Sequence, residues 1–109
     1  MMMAISAKNA TFSSSGRVFL YRLSGEVWSL EKVFSETGGN ESFGAAVTLQ
    51  PEAVTIGMPL FGGAVICHNL VHGVWRRGQV ISPPGGLASQ GAFGTALAAE
   101  GDVLLIGCP

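Results

Sequence analysis

Charge is the scarcest property of this 109-residue chain, since Asp, Glu, Lys and Arg make up only 12% of it. An ordinary domain has about a quarter of its residues charged. The six basic residues are scattered along the chain, which excludes the basic patch that nucleic-acid binding requires. No apolar run reaches the roughly 18–20 residues of a membrane span. Because 48% of the residues are apolar, the composition also excludes a disordered chain.

Cysteine is scarce too. Cys67 and Cys108 lack the spacing of a metal-binding motif, and we expect two buried free thiols rather than a disulfide. Cys67 and His68 are adjacent, so on a strand they point to opposite faces, and a zinc site with His72 is not expected. Strand-end or turn positions are expected for them instead. The N-terminal sequence MMMAISAK has no basic n-region, and it does not predict a signal peptide.

Glycine, in contrast, is abundant, with 16 residues that separate short apolar runs. Several runs alternate apolar side chains with period two, which is typical of strands. We therefore predict an all-β fold. The predicted strands are 2–6, 17–22, 26–34, 43–49, 53–57, 63–69, 73–81, 93–98 and 102–107.

The chain also repeats itself. FGAAVTLQPEAVTIGMP at 43–59 aligns without a gap with FGTALAAEGDVLLIGCP at 93–109, 50 positions later. A second set of matches has a spacing of 47. One repeat therefore comprises four strands in about 47–50 residues, which is the length of a β-propeller blade. The matched positions are Phe43, Gly44, Ile56, Gly57 and Pro59 with Phe93, Gly94, Ile106, Gly107 and Pro109, then Leu23, Val27 and Trp28 with Leu70, Val74 and Trp75.

The order Phe-Gly, small-apolar alternation, turn, Ile-Gly-x-Pro and Gly-x-Val resembles the FG-GAP repeat of integrin alpha-subunit propellers. The likeness covers nearly the whole chain, and it departs from the family at Met58 and Cys108, where alanine is usual, and at Ser6–Lys8, where a first Gly-Ala-Pro would fall. It implies four-stranded antiparallel blades of a larger propeller, normally seven-bladed, with the Phe-Gly strand innermost.

On that interpretation the chain spans about two blades. Residues 1–34 form the end of one blade, 43–81 a complete blade, and 93–109 the start of the next. The strand count is not a multiple of four, so we expect a fragment of a longer propeller that needs its remaining blades.

The repeated residues also have physical reasons. The innermost strands crowd together, which favours small residues such as Ala46 and Ala96. Phe43 and Phe93 are expected to wedge between blades, while the glycine after each permits a close backbone approach. Pro59 and Pro109 end their strands because proline cannot donate to a ladder.

Catalytic and metal chemistry have no positive support. Many FG-GAP blades hold calcium between their first two strands, but the turns 50–52 and 99–102 carry too few acids for six to eight oxygen ligands. We expect no cofactor here, and calcium only in other blades. Arg76 and Arg77 indicate an exposed outer strand, with one side chain covering Trp75. No catalytic set of residues stands out.

A binding surface is expected on one face of the propeller, where the longer loops emerge. There the resemblance implies a protein or other macromolecular ligand, with plain connectors as the alternative. Sequons at Asn9 and Asn40 indicate glycosylation of a cell-surface or secreted protein. Two other functions stay open: a scaffold module appended to an extracellular hydrolase, and an independent small intracellular β-domain. The longer loops to which this binding surface is assigned are 8–15, 35–42, 59–62 and 82–92.

Overall fold

The computed structural model describes residues 2–7, 16–36, 43–59, 63–85 and 92–108. Every regular element within these ranges is a strand, and none is a helix. The all-β prediction is therefore confirmed, including the strand at 26–34. The strands are β1 (Met2–Ala7), β2 (Arg17–Ser24), β3 (Val27–Ser35), β4 (Ala46–Gln50), β5 (Ala53–Met58), β6 (Ala64–Val71), β7 (Val74–Ile81), β8 (Ala96–Glu100) and β9 (Val103–Gly107).

The strands form three antiparallel sheets. The first has the order β1-β2-β3, the second β4-β5-β6-β7, and the third β8-β9. Each strand pairs with its neighbour in the chain, so every sheet is a simple meander. The four-stranded sheet is the segment for which a complete four-strand unit is predicted. Its first strand, β4, contacts both β1 and β8, so the second sheet lies between the other two.

The two Phe-Gly pairs are not in strands, and this part of the prediction is wrong. Phe43, Gly44 and Ala45 form a turn, as do the equivalent residues fifty positions later, and β4 and β8 begin only at Ala46 and Ala96. The reason is the backbone of the glycines, whose φ angles of 94° and 96° are incompatible with an extended strand. Each glycine N–H instead donates a hydrogen bond to the second strand of the hairpin that the turn leads into. For Gly44 the acceptor is the Gly57 carbonyl oxygen, at 3.1 Å.

The main core lies between the first and second sheets. Val18 and Leu20 of β2 are fully buried because they face the second sheet, which contributes Phe43 and Ile56. Burying such side chains stabilises the fold by about 1.5–3 kcal/mol each. The buried cluster is completed by Phe34, Val54 and Ile66.

The third sheet meets the second through backbone rather than side chains. A Cβ atom at Gly57 would overlap the carbonyl oxygen of Gly94, and one at Gly63 would overlap that of Phe93. A Cβ at Gly94 would in turn lie 2.9 Å from the Ala64 carbonyl oxygen. Glycine is therefore required on both sides of this contact, and the Phe-Gly turn of one sheet fits against the second hairpin strand of the preceding one.

A β-bulge recurs at the same repeat position in two sheets. In the first sheet the register shifts at Leu20, leaving Glu31 of β3 as the extra residue. In the second sheet it shifts between Ile66 and His68, and Gly78 is among the residues left over in β7. Glu31 and Gly78 are 47 positions apart. Because a bulge re-aims the side chain that it carries, Glu31 turns toward the second sheet.

We predict that Gly57→Ala lowers the free energy of unfolding by about 1–3 kcal/mol, because the backbone of Gly94 cannot give way to the added methyl group. Gly107 occupies the same repeat position, and there a Cβ would lie 3.2 Å from the Ala96 Cβ and no closer than 3.5 Å to its backbone. Gly107→Ala is therefore expected to change stability by less than about 0.5 kcal/mol. Urea unfolding of both variants makes the comparison, and equal losses would contradict the close approach at Gly57.

Candidate functional site

The most organised group of polar side chains lies between β3 of the first sheet and β7 of the second. We call it the outer clamp, and it consists of Arg22, Glu31, Glu36, Trp75 and Arg77. Glu31 is its centre, since Oε2 accepts hydrogen bonds from Trp75 Nε1 at 2.8 Å and from Arg22 Nη2 at 3.1 Å. The clamp therefore joins the outermost strands of two neighbouring sheets.

Charge strengthens these contacts. The hydrogen bond from Arg22 holds the pKa of the Glu31 carboxyl below its ordinary value, so this acid stays ionised at neutral pH. Arg77 forms a second ion pair with Glu36, donating from both Nε and Nη2, and its own pKa is raised by that hydrogen bond. Both arginines are solvent-accessible, so these pairs fix geometry more than they add stability.

An aromatic layer lies directly beneath the clamp. The Phe34 ring packs against His68, with ring centroids 4.6 Å apart, and against the edge of Trp75 at 5.7 Å. His68 is only 6% exposed, and its Nε2 atom has no hydrogen-bond partner among the described residues. Burial lowers the pKa of His68 below 6.5, so the imidazole is neutral at pH 7. It borders a cavity of 240 Å³ that Lys32 and Arg77 also line.

This arrangement is suited to holding two sheets in register. The Arg22–Glu31 pair lies within the first sheet, whereas Arg77 of the second sheet pairs with Glu36 of the first. The bond from Trp75 to Glu31 also crosses between the two sheets. Within residues 2–7, 16–36, 43–59, 63–85 and 92–108, no group of three or more His, Cys, Asp or Glu could hold a metal ion. The larger depression on the third sheet, lined by Ala98, Val103 and Leu105, is mainly apolar.

The repeat-motif residues lie where neighbouring sheets meet. Phe43 is fully buried beside the first sheet, and Phe93 is 8% exposed against Gly63 of the second. Pro59 directly follows β5. The remaining motif positions are Gly44, Ile56, Gly57 and Gly94, which are buried, and Ile106 and Gly107, which are half-buried.

Several predicted positions lie outside the described residues. These are Pro109, the two sequon asparagines Asn9 and Asn40, and most of the four loops to which a binding surface is assigned. The turns 50–52 and 99–102 are described, and the Gln50 side chain donates to the Gly101 carbonyl at 2.8 Å. That bond links the equivalent turns of the second and third sheets.

Two sequence expectations are wrong. Cys108 is exposed because it follows the end of β9, which pairs only with β8 among the described strands. Cys67 is half-buried, and both cysteines are free thiols. His68 is not at a strand end or in a turn, since it lies within β6 and is buried by the first sheet. His72 does lie in the turn after β6, with a φ of 50°.

Sequence reasoning missed Glu31 and Glu36 as members of a site. Glu31 lies in a strand whose other residues alternate, so period two gives no reason to single it out. The bulge, which breaks that alternation, is the feature that brings its carboxylate to Trp75. The repeat did contain a signal. The tryptophan recurs at Trp28 and Trp75, but the glutamate does not, since Gly78 stands 47 positions after Glu31, and this difference marks Glu31 as a residue with a role of its own.

No protein-family model matches this chain, and no curated protein matches it. Among the described residues there is no helix long and apolar enough to cross a membrane.

We predict that lowering the pH below about 6.5 destabilises the interface at His68. Its folded-state pKa is lowered by burial, so the unfolded chain takes up the proton first as the pH falls. The contribution of neutral His68 is complete above the unfolded pKa and is lost toward the lower folded pKa, by at most about 1.4 kcal/mol per pH unit. Glu36, Arg77 and Lys32 act on it as neighbouring charges.

Urea unfolding between pH 7.5 and 5 measures this loss, at values where most carboxylates stay ionised. His68→Leu is expected to remove the slope, whereas His72→Asn should keep it, since asparagine tolerates the positive φ at that position. An unchanged slope in His68→Leu would assign the pH dependence to another group.

We also predict a measurable coupling between Glu31 and Trp75. In a double-mutant cycle of Glu31→Gln and Trp75→Phe, we expect a coupling free energy of about 1 kcal/mol from the charge-assisted hydrogen bond. Trp28 occupies the same repeat position but is exposed, so Trp28→Phe is expected to show no coupling to Glu31→Gln. Thermal or urea unfolding gives both cycles, and comparable coupling in the two would rule out the clamp as its origin.

Proposed function

We propose that the three sheets are consecutive blades of an FG-GAP, integrin-alpha-like β-propeller that acts as a non-catalytic scaffold for binding a protein or another macromolecular ligand. The parent would be a cell-surface or secreted protein, with the remaining blades as further partners of this chain. No cofactor is required for this role.

The observation that carries the proposal is the stacking of the sheets. Each sheet covers a face of the next, and the first strands of the second and third sheets, β4 and β8, contact each other. In a propeller the innermost strands are the ones that approach one another round the axis, while the outer strands diverge. The Phe-Gly turns support the same arrangement, because each one starts such an inner strand.

The sequence supports a division between the two ends of each sheet. The hairpin turns β4–β5 and β6–β7 are short and lie at one end. Strand β5 ends and β6 begins at the opposite end, as do β7 and β8, and the segments that join them contain more residues. Long loops on a rigid scaffold are where binding residues concentrate, so the proposed ligand surface is the end with the long connections.

The experiment is a binding screen of the chain against an array of extracellular and cell-surface protein domains, followed by loop exchange. In one variant the loop sequences 37–42 and 86–91 are replaced by Gly-Ser segments of equal length. We expect binding to be lost in this variant, because it removes the side chains of the proposed surface while the strands stay intact, as circular dichroism should show.

The matched control changes the opposite end, replacing the turn residues Pro51-Glu52 and Gly101-Asp102 by Asn-Gly, which suits tight hairpins. This variant should bind as the parent does. The absence of any binding protein, or loss of binding only in the turn variant, would contradict the proposal.

A further inference from the structure

The first sheet presents an apolar face on the side away from the second sheet. Register pairs Phe19 with Val33, Tyr21 with Leu30, and Leu23 with Trp28, all on the face opposite Val18 and Leu20. Within the described residues nothing covers the β3 part of this face: Trp28 and Val33 are each 37% exposed, and Leu30 is 53% exposed.

The same face of the second sheet is covered, which shows what fits on it. At the spacing of 47, Trp28 corresponds to Trp75 and Phe19 corresponds to Ile66. Ile66 is 1% exposed because the first sheet lies on it. Trp75 is half-buried, and its Nε1 donates to Glu31, the bulge residue of the covering sheet.

We propose that the open face of the first sheet docks a further antiparallel sheet of the same repeat, one that carries a carboxylate at its bulge position as the hydrogen-bond acceptor for Trp28 Nε1. This inference rests on the proposed propeller arrangement, and it specifies which kind of sheet can dock beside the first one. A sheet with glycine at the bulge, as the second sheet has at Gly78, would cover the apolar part of the face and leave the indole N–H unpaired.

A second copy of this chain is a poorer occupant than such a sheet. The third sheet also has an open face, where Val103 is 62% and Leu105 is 66% exposed. As described, however, it has only β8 and β9 and no counterpart of β3, the strand from which Glu31 projects. Stacking copies end to end would therefore pair two apolar faces without an acceptor for Trp28.

The register gives a direct way to build the proposed neighbour. Met2 pairs with Arg22, and Ala53 pairs with Asn69, so Met2 and Ala53 hold equivalent positions at the start of the second strand of a unit. A tandem protein with residues 1–52 placed directly before Met2 of the full chain thus adds a first strand to the first sheet. It also places a second copy of β3, with its Glu31, over the open face.

The readout is hydrogen exchange of the tryptophan indole N–H groups by NMR. Trp28 of the added segment is changed to Phe, so that both the natural chain and the tandem carry two indoles, Trp28 and Trp75. In the natural chain Trp75 should be protected and Trp28 should exchange rapidly at every protein concentration. In the tandem we expect exchange at Trp28 to slow by about tenfold or more, since a hydrogen bond and burial must both be opened.

One substitution at two places supplies the matched control. Glu31→Ala in the added segment should restore fast exchange at Trp28 and leave Trp75 unchanged, whereas Glu31→Ala in the original segment should do the reverse.

Fast exchange at Trp28 in a folded tandem would overturn the inference, as would protection that the added Glu31 does not influence. Protection in the natural chain that rises with concentration would also overturn it, because a second copy would then be the occupant. The loop-exchange experiment is independent of these outcomes, so the ligand-binding proposal and the docking rule fail separately.

Discussion

The structure depends on one constraint: a sheet with apolar residues on its faces must bury them against another element. Each sheet here buries a face only by stacking on the next. The cluster around Leu20, Phe43 and Ile56 is drawn from two sheets, and neither sheet holds it alone. Burial between sheets therefore recurs every fifty or so residues, like the sequence repeat, because each repeat has one face that covers its neighbour and one that a neighbour can cover.

The contact between the second and third sheets differs from the contact between the first and second. Near β4 and β8 the sheets approach so closely that only glycine fits, as at Gly57 and Gly94. Between the first and second sheets, apolar side chains such as Leu20 and Ile56 form the core. Toward β3 and β7 the gap is wide enough for Trp75 and the ion pairs of the outer clamp.

The polar groups at the outer end contribute selectivity more than stability. An exposed ion pair adds little free energy, but an indole N–H or a buried imidazole without a partner is costly. Removing the Glu31 carboxylate would leave the indole N–H of Trp75 without its hydrogen-bond acceptor. Since the second sheet has Gly78 at the same bulge, it offers no carboxylate there, and under the proposed docking rule the repeats are not interchangeable. A scaffold with fixed order can vary its loops without losing its shape, which suits the binding role proposed for it.

The sequence by itself determined the all-β class and the position of each strand in the described residues to within about three residues, because alternation and glycine punctuation are local signals. It also singled out Phe43, Gly57 and Phe93, because these residue types recur fifty positions apart. Only the tertiary structure decided that Phe-Gly forms a turn, that His68 is buried, and that Glu31 meets Trp75. The turn depends on a positive φ and the aim of Glu31 on a bulge, both of which break the alternation that a strand pattern records. The burial of His68 and the Glu31–Trp75 bond arise between segments far apart in the chain.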